Sequence, residues 1–311
     1  MSSVRDAFFN ELYAQIKNGK DIYLVTADLG APSLDVFRKE LPSRYISSGI
    51  AEQNLIQIAV GMTWAGGKVV AYGLNPFPIT RAFDQIRCLL AELKTPITLC
   101  CLNAGLCSAE SGYTHMPIED FAMLRTLCNI EVYSPSDETI SRILAKQTSN
   151  ACAPRIIRFD KSINGSIYSE DEIDLNKGFA VKGKSKTSKL CIISYGCYSQ
   201  ELYNELLNKD LLNEVKLIDL FKFPVDEDKL VEEISECEHV VSIEENVRAG
   251  GIGSFILEVL SDHCCNKSVT RFGLQFTNGY YNVFTNRQFI RQDQKIDLPS
   301  VMNVINQYIR N

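Results

Sequence analysis

The sequence contains no long apolar segment, no excess of basic residues and only three histidines. No apolar run approaches the ~20 residues that a membrane-spanning helix needs. Lys and Arg number 32 against 38 Asp and Glu, for a net charge of −6. This balance argues against a nucleic acid or an anionic membrane as the partner, because both require clustered positive charge. Phosphorylated substrates are still compatible with it, since they need only one or two well-placed cations.

Ligands for metals and partners for disulfides are equally scarce. With three histidines and no two CxxC pairs at zinc-finger spacing, a zinc site formed by the chain alone is not expected. The eleven cysteines are scattered, most of them within apolar runs. An odd number in a chain with ample core predicts small buried residues that are kept reduced. Because the N-terminus has the pattern of an amphipathic helix and no signal peptide, we expect a cytoplasmic protein.

At 311 residues the chain is long enough for two domains. Short β-rich runs, such as 190–194 and 215–219, alternate with helical patterns, such as 80–93, on both sides of a polar stretch. This alternation predicts βαβ units and mostly parallel sheets. We therefore expect an α/β fold of two doubly wound domains, at 1–165 and 189–311, joined by a linker at 166–188. Pro117 is expected to begin a helix, and Ser136 is expected to cap the next one.

Three segments place polar residues and glycine where a strand leads into a helix. Glu52 enters the first turn of a long apolar helix, and taken alone it is typical of helix-dipole compensation. His115 lies in a polar loop after a buried strand, where open α/β sheets bind ligands, although a single loop histidine usually has a structural role. Segment 244–253 could bring backbone N–H groups to an anion. Its glycine spacing does not match a dinucleotide motif, so a tight turn is the better interpretation.

Four motifs, in this order, carry a resemblance to one enzyme family. They are Gly-Ile-Ala-Glu-Gln-Asn at 49–54, Arg-Ala-Phe-Asp-Gln-Ile-Arg at 81–87, Gly-Tyr-Thr-His-Met-Pro-Ile-Glu-Asp at 112–120 and Tyr-Ser-Pro-Ser-Asp-Glu at 133–138. The series resembles the pyrimidine-binding domain of the transketolase family and of its relative deoxyxylulose-phosphate synthase. Val-Ser-Ile-Glu-Glu-Asn at 241–246 and Gly-Gly-Ile-Gly-Ser at 250–254 resemble the family's C-terminal domain. The resemblance covers nearly the whole chain.

The resemblance implies thiamine diphosphate as the cofactor, held across a subunit interface. Glu52 matches the family glutamate that hydrogen-bonds N1′ of the aminopyrimidine ring, and a carboxyl group partly removed from water suits the exchange of a proton with that ring. Phe77 is implied as the aromatic residue stacked on the ring if one inserted residue is allowed. Otherwise Pro78 or Asn75 takes that place, or Phe77 belongs to the core. The further implied cofactor contacts are Ile50 and Gln53.

The resemblance also implies the residues that face the substrate. His115 matches a family histidine that assists proton transfers, and Arg158 falls where the family places an arginine on the substrate phosphate. A surface ion pair is the alternative role for Arg158. Ser111 stands where transketolases carry an aspartate, and Asn103 stands where they carry a histidine. These two departures predict an unusual keto sugar, or a nucleotide- or phosphate-linked one, as substrate.

One family feature is missing from the sequence: the Gly-Asp-Gly and downstream Asn that hold Mg²⁺ and the diphosphate. We therefore expect the chain to be the pyrimidine-binding and C-terminal half of a split transketolase. Mg²⁺ and the diphosphate are then expected on an N-terminal partner subunit. The predicted assembly is an α₂β₂ heterotetramer with a β–β dimer contact. No thiamine-dependent activity is expected of this chain alone.

The expected function is the transfer of a two-carbon ketol unit between phosphorylated sugars. The β subunit of a 2-oxo acid dehydrogenase E1, which has the same domain pair, is an alternative, as is a synthase that condenses pyruvate with an aldehyde. A non-catalytic scaffold subunit of the same fold is the alternative from another class. The C-terminal domain is expected to support an interface and to contribute no chemistry.

Overall fold

The computed structural model describes residues 2–162, 165–183, 189–276, 279–281 and 284–310. Of the predicted linker at 166–188, residues 184–188 lie outside this described part. The rest of the linker contains the 3₁₀ turn Glu170–Glu172 and the short strand Ala180–Lys182. The predicted linker therefore contributes a strand to the second sheet.

The chain forms two compact units. One consists of Met1–Ala104 with Leu124–Glu170, and the other of Gly105–Met123 with Asp171–Asn311. The segment Gly105–Met123 therefore belongs to the second unit, although the chain on both sides of it belongs to the first.

The first unit is built on a parallel sheet. Its strands are β1 (Ile22–Thr26), β2 (Tyr45–Ser47), β3 (Lys68–Leu74), β4 (Thr98–Leu102), β5 (Glu131–Tyr133) and β6 (Arg155–Phe159). They are ordered β5-β6-β4-β3-β1-β2, and every pair is parallel. All residues of β4 and β6 are buried. The sequence of β4 is accordingly a nearly continuous apolar run and not an alternating one, whereas β6 buries two arginines, Arg155 and Arg158.

Helices of the first unit connect these strands. They are α1 (Val4–Lys17), α2 (Pro32–Glu40), α3 (Glu52–Trp64), α4 (Phe77–Thr80), α5 (Phe83–Gln85), α6 (Asp120–Leu124, which ends in this unit) and α7 (Glu138–Lys146). The single helix expected over 80–93 is instead α4, α5 and a π-helical stretch, Ile86–Glu92. The alternation of strands and helices is confirmed, but this helix is irregular.

The second unit has its own sheet, ordered β12-β11-β8-β9-β7. Its strands are β7 (Ala180–Lys182), β8 (Leu190–Ser194), β9 (Val215–Asp219), β11 (His239–Val247) and β12 (Ser268–Leu274). The two-residue strand β10 (Lys222–Phe223) is not part of this five-stranded sheet. The sheet is parallel except for the pairing of β7 with β9.

Helices cover both faces of this second sheet. They are α8 (Cys197–Asn208), α9 (Glu227–Ser235), α10 (Ile252–Asp262), α11 (Arg287–Asp293) and α12 (Leu298–Arg310). Cys191 and Ile193 of β8 pack in one apolar cluster with residues of α9 and α10. The alternate residues Leu190 and Ile192 pack in another, with residues of α8 and α12. The expected doubly wound arrangement is thus visible in the two clusters.

Two expected helix starts are wrong. Pro117 does not begin a helix, because α6 starts at Asp120. The Pro117 and Ile118 carbonyls accept hydrogen bonds from the Asn246 side chain instead. Ser136 does not cap α7. The cap is Asp137, whose carboxylate accepts the N–H of Ile140 at 3.0 Å.

The cysteines are only partly the buried residues expected. All eleven are free thiols. Five are buried, namely Cys100, Cys101, Cys191, Cys197 and Cys237, and four are exposed, namely Cys88, Cys128, Cys152 and Cys264. Among the described residues, no helix has both the length and the apolar character needed to cross a membrane.

Candidate active site

The carboxyl edge of the first sheet gathers several of the predicted site residues. Strands β6, β4 and β3 are consecutive and parallel, so their carboxyl ends lie side by side. Arg158 lies in β6, Asn103 directly follows β4, and Phe77 begins α4 after β3. The exits of β4 and β6 are joined by a bond from Ala104 N to Phe159 O at 3.0 Å. This is the edge at which parallel sheets bind ligands.

Glu52 begins α3 and its side chain is almost completely buried, at 7% exposure. The preceding residue, Ala51, provides no side-chain cap, so the positive end of the helix dipole stabilises the carboxylate. Within the described part of the chain, its one ion-pair partner is Arg81, whose Nη1 lies 3.4 Å from Glu52 Oε2. The Arg81 side chain is 56% exposed. A pair this long and this exposed contributes little stability, so Glu52 can exchange it for a ligand.

Arg81 connects the predicted cofactor residues to one another. Its guanidinium carbon lies 4.2 Å from the centroid of the Phe77 ring. Its backbone carbonyl accepts a hydrogen bond from Gln53 Nε2 at 3.2 Å. Phe77 is partly exposed, whereas the alternatives Pro78 and Asn75 are buried. Sequence reasoning assigned no role to Arg81, although it begins the 81–87 motif.

Ile50 precedes this cluster in an unusual position for an apolar residue. Its side chain is 76% exposed. Gly49 before it has a φ of +69°, a left-handed conformation that glycine adopts without strain. An exposed isoleucine next to a buried carboxylate forms an apolar surface that a bound ring could cover.

Asn103 is buried and strained. Its φ is +75°, which costs a non-glycine residue about 1 kcal/mol or more. Its side chain is 1% exposed, and within the described chain its Oδ1 has no hydrogen-bond partner. A buried acceptor without a donor is costly, and such a position is typical of a functional site.

Arg158 is buried and does not lie at the surface, where one of its two expected roles placed it. It is 1% exposed, and its Nη1 donates to Ser134 Oγ at 2.9 Å. The alternative of a surface pair is therefore wrong. A planar guanidinium at this edge has the geometry for a phosphate, but its burial means that a ligand must enter the site to reach it.

Ser111 and His115 lie in the second unit, on the segment Gly105–Met123. Ser111 is exposed and ends the 3₁₀ turn Ala109–Ser111, while His115 ends the 3₁₀ turn Tyr113–His115. The two turns meet at Gly112, where φ is +83°. The His115 Nδ1 lies 2.9 Å from Thr114 Oγ1. That contact orients the imidazole ring.

The glycine-containing turn at 250–253 does not form an anion site. The Glu244 carboxylate accepts the backbone N–H of Ile252 and of Gly253, both at 3.0 Å. A Cβ on Gly251 would lie 2.0 Å from Glu244 Oε2. The protein's own carboxylate therefore occupies the N-terminus of α10, and the tight-turn interpretation is confirmed.

The described residues do not contain a group of three or more His, Cys, Asp or Glu side chains placed to hold a metal ion. The first sheet offers a ligand three kinds of group: the buried Glu52 carboxylate, the Phe77 ring and the Asn103 amide oxygen that lacks a donor. An imidazole and a hydroxyl are available on Gly105–Met123.

Two family profiles match the chain. The profile described as "Transketolase, pyrimidine binding domain" matches residues 1–165, and the one described as "Transketolase, C-terminal domain" matches residues 180–285. The chain belongs to the transketolase family. It corresponds to the pyrimidine-binding and C-terminal domains, as the motifs predicted.

Similar proteins place this transketolase-family chain among split enzymes. It is 28% identical over 300 residues to a subunit of the apulose-4-phosphate transketolase of Actinobacillus succinogenes, covering 93% of each chain. It is 28% identical over 268 residues to a "Putative transketolase C-terminal section" of Methanocaldococcus jannaschii, covering 83% and 82%. A solved structure titled "Split gene transketolase, inactive beta4 tetramer" is similar with a TM-score of 0.83 and 25% identity, over 100% and 99% of the two chains.

The chain also matches part of a longer relative. The "1-deoxy-D-xylulose-5-phosphate synthase" of Neisseria meningitidis is 30% identical over 244 residues, which is 78% of this chain and 37% of the synthase. The synthase thus contains more than the two domains matched here.

Proposed function

We propose that the chain is the catalytic β-type subunit of a thiamine-diphosphate-dependent transketolase that transfers a two-carbon ketol unit between phosphorylated sugars. The observation that carries this proposal is the buried Glu52 carboxylate at the start of α3, in a chain of the transketolase family. It forms one long pair with the exposed Arg81 and is available to a ligand.

The residues around Glu52 fit an aminopyrimidine ring. The carboxylate would hold a proton at the ring nitrogen N1′, the partly exposed Phe77 would cover one ring face, and Ile50 would add apolar contact. Asn103 offers a buried acceptor that lacks a donor. When bound, thiamine diphosphate supplies carbanion chemistry that side chains do not provide. The protein's part is to bind and orient the ring and to keep a proton available at N1′.

The substrate-facing roles are proposed for His115, Ser111 and Arg158. The His115 imidazole would accept or return the proton of a substrate hydroxyl. Ser111 is a smaller, uncharged residue beside it and would leave room for a sugar that an aspartate excludes. The buried Arg158 would bind a phosphate only where the substrate reaches the carboxyl end of β6.

A partner subunit is proposed for the diphosphate and Mg²⁺. Two similar chains, one named as a subunit of a transketolase and the other as a C-terminal section, support a split enzyme. The similar structure titled an inactive β₄ tetramer supports self-association without activity. We propose an α₂β₂ assembly in the cytoplasm, in which the partner holds the metal and this chain holds the ring.

A phosphorylated keto sugar other than the common pentose phosphates is the proposed substrate. Two similar proteins carry apulose 4-phosphate in their names, and Ser111 and Asn103 depart from the residues expected of the ordinary enzyme. The purified complex should therefore turn over apulose 4-phosphate faster than xylulose 5-phosphate. Turnover of common pentose phosphates alone would contradict this choice of substrate.

The requirement for a partner is tested by reconstitution. The chain is assayed alone and with an N-terminal transketolase subunit from the same organism, in the presence of thiamine diphosphate and Mg²⁺. We expect ketol transfer only from the mixture. Full turnover by the chain alone would overturn the split-enzyme proposal.

The role of Glu52 is tested by Glu52→Gln in the reconstituted complex. We expect kcat to fall about 100-fold or more, since positioned proton transfer contributes roughly 10²–10⁴. Glu138→Gln is the matched control, because Glu138 is likewise a buried glutamate that begins a helix and pairs with an arginine, Arg142. If Glu52→Gln kept as much activity as the control Glu138→Gln, the chain would have a scaffold role.

A further inference from the structure

Three consecutive polar residues are buried at the end of β11. Glu244, Glu245 and Asn246 are 1%, 7% and 2% exposed, and the register of β11 with β12 shifts between Ile243 and Val247. Burying three polar side chains in a row is costly unless each one is hydrogen-bonded. Glu244 caps α10, as described above. Glu245 and Asn246 each form hydrogen bonds to the segment that carries His115.

Glu245 holds the first end of that segment. Its Oε2 accepts the backbone N–H of Leu106 at 3.2 Å, across 139 residues of sequence. A Cβ on Gly105, whose φ is +56°, would lie 2.7 Å from Glu245 Oε2. The glycine therefore allows the backbone to approach the carboxylate.

Two arginines fix the Glu245 carboxylate. Arg287 donates from Nε at 2.7 Å and from Nη2 at 2.8 Å, and Arg291 donates from Nε at 2.5 Å. Arg291 also pairs with Glu201 at 2.6 Å. Burial alone would raise the pKa of the Glu245 carboxyl group, but the two arginine charges and their hydrogen bonds outweigh it and lower that pKa to about 2. The carboxylate is thus charged, oriented and unable to rotate.

Asn246 holds the other end. Its Nδ2 donates to the Ile118 carbonyl at 2.8 Å and to Asp120 Oδ1 at 2.9 Å. The Asn246 Oδ1 in turn accepts the Tyr195 hydroxyl. The next residue, Val247, donates its backbone N–H to the same Ile118 carbonyl at 3.0 Å.

The segment between these two ends is packed onto the same unit. Its apolar residues form a cluster with residues of β12, α11 and the turn after α11, namely Leu106, Ala109, Met116 and Ile118 with Leu274, Ile290 and Ile296. β11 pairs with β8 up to Ser242 and with β12 at Ile243 and again at Val247. Glu245 and Asn246 therefore lie in an irregularity of β11 that is anchored to the sheet on both sides along the chain, and these two adjacent side chains bond to both ends of the His115 segment.

We infer that Glu245 and Asn246 are positioning residues for catalysis, which set the place of His115 by fixing residues 105–106 and 117–120. The inference rests on the proposed role of His115. If this inference holds, the second unit takes part in the reaction. The sequence analysis expected the C-terminal domain only to support an interface. Misplacing a catalytic group by about 1 Å can cost about 100-fold in rate.

The main test is Asn246→Asp. The variant keeps the shape of the side chain but replaces its N–H donors by an oxygen that repels the Ile118 carbonyl and Asp120. Glu244→Gln is the matched control, because it is the neighbouring buried residue on the same strand and its bonds reach α10. Hydrogen exchange of the purified chain, followed by mass spectrometry, should show faster exchange across 106–120 in Asn246→Asp and not in Glu244→Gln.

Kinetics of the reconstituted complex supply the functional part of the test. We expect kcat to fall about 100-fold in Asn246→Asp, with affinity for thiamine diphosphate unchanged. Adding His115→Ala to Asn246→Asp should lower kcat no further than His115→Ala alone, because both changes remove one function. A purely structural role would give losses that multiply.

A second variant addresses the other end of the segment. Gly105→Ala leaves Asn246 intact and pushes a methyl group into Glu245, so it should give the same pattern if Asn246→Asp fails to fold. Two results would overturn the positioning role. One is faster hydrogen exchange across 106–120 with an unchanged kcat. The other is a double variant whose loss of kcat equals the product of the two single losses. Full activity of His115→Ala would show that the proposed role of His115 had failed first, and the inference would fall with it.

Discussion

Two buried glutamates show what decides whether a helix N-terminus becomes a ligand site. Glu52 follows a glycine-containing turn and is the first residue of α3. Glu244 precedes such a turn in β11, and its carboxylate reaches the start of α10. Glu244 accepts two backbone N–H groups of α10 and is enclosed by Gly251. Glu52 has one long pair with an exposed arginine. A carboxylate that already binds its own backbone maintains the fold, whereas one with a weak, exposed partner can exchange that partner for a ligand.

The largest expected effect is a difference in stability between variants of the two glutamates. Glu244→Ala removes two charge-assisted bonds from a buried helix end and should lower the free energy of unfolding by about 3 kcal/mol or more. Glu52→Ala should lower it by about 1 kcal/mol or less, because its pair is exposed. Urea unfolding of the isolated chain measures both. Equal losses would mean that Glu52 is structural as well.

The next effect concerns acid stability and Glu245. Its folded-state pKa of about 2 lies below the ordinary value of 4.5, so between these pH values the unfolded chain binds a proton that the folded chain does not. The Glu245 carboxylate therefore makes its full contribution to the free energy of unfolding above pH 4.5. That contribution, about 3 kcal/mol, is lost as the pH falls toward 2.

Glu245→Gln should flatten that pH dependence, measured by urea unfolding between pH 2 and 5. The exposed Glu214→Gln in the same unit is the control and should retain the wild-type slope. An unchanged slope in Glu245→Gln would contradict the ionised, arginine-bound carboxylate.

A smaller effect compares the two turns themselves. Gly251→Ala would place its Cβ 2.0 Å from the Glu244 carboxylate, and the required shift should cost about 2 kcal/mol. Gly49→Ala meets no atom within 4 Å, so only its positive φ is unfavourable, at about 1 kcal/mol. Thermal unfolding of both variants ranks the two costs. The reverse ranking would show that the α10 turn adapts easily.

The smallest effect tests whether a ligand displaces Arg81 from Glu52. Arg81→Met keeps an apolar cover on Phe77 and removes an ion pair of about 1 kcal/mol that a ligand would otherwise have to break. The Kd of thiamine diphosphate in the reconstituted complex should therefore fall about fivefold by calorimetry, with Arg87→Met from the same motif unchanged. A rise above about 100-fold would mean that Arg81 contacts the cofactor directly.

The sequence predicted the regular parts of the fold well. Strands such as Leu190–Ser194 and Val215–Asp219 were predicted with the bounds observed, because both are short segments rich in β-branched and aliphatic residues. The helix Pro32–Glu40 was not predicted, since it is short and rich in charge. The expected helix over 80–93 was interrupted by tertiary packing and a π-helical stretch, which periodicity does not reveal.

The sequence predicted which residues form the candidate site. It did not predict their burial or their hydrogen-bond partners. Glu52, Phe77 and His115 carry motif signals in the sequence itself. The burial of Arg158 and the unpaired oxygen of Asn103 depend on neighbours that no local pattern specifies.

The sequence by itself determined the family, the alternation of strands and helices, and the identity of the reactive side chains, because these depend on local pattern and on motif. Only the tertiary structure decided that the His115 segment belongs to the second unit and that Glu244 fills the N-terminus of α10. The contacts responsible join residues as far as 139 positions apart. Which buried donor meets which acceptor at such a separation is settled by packing and not by sequence neighbours.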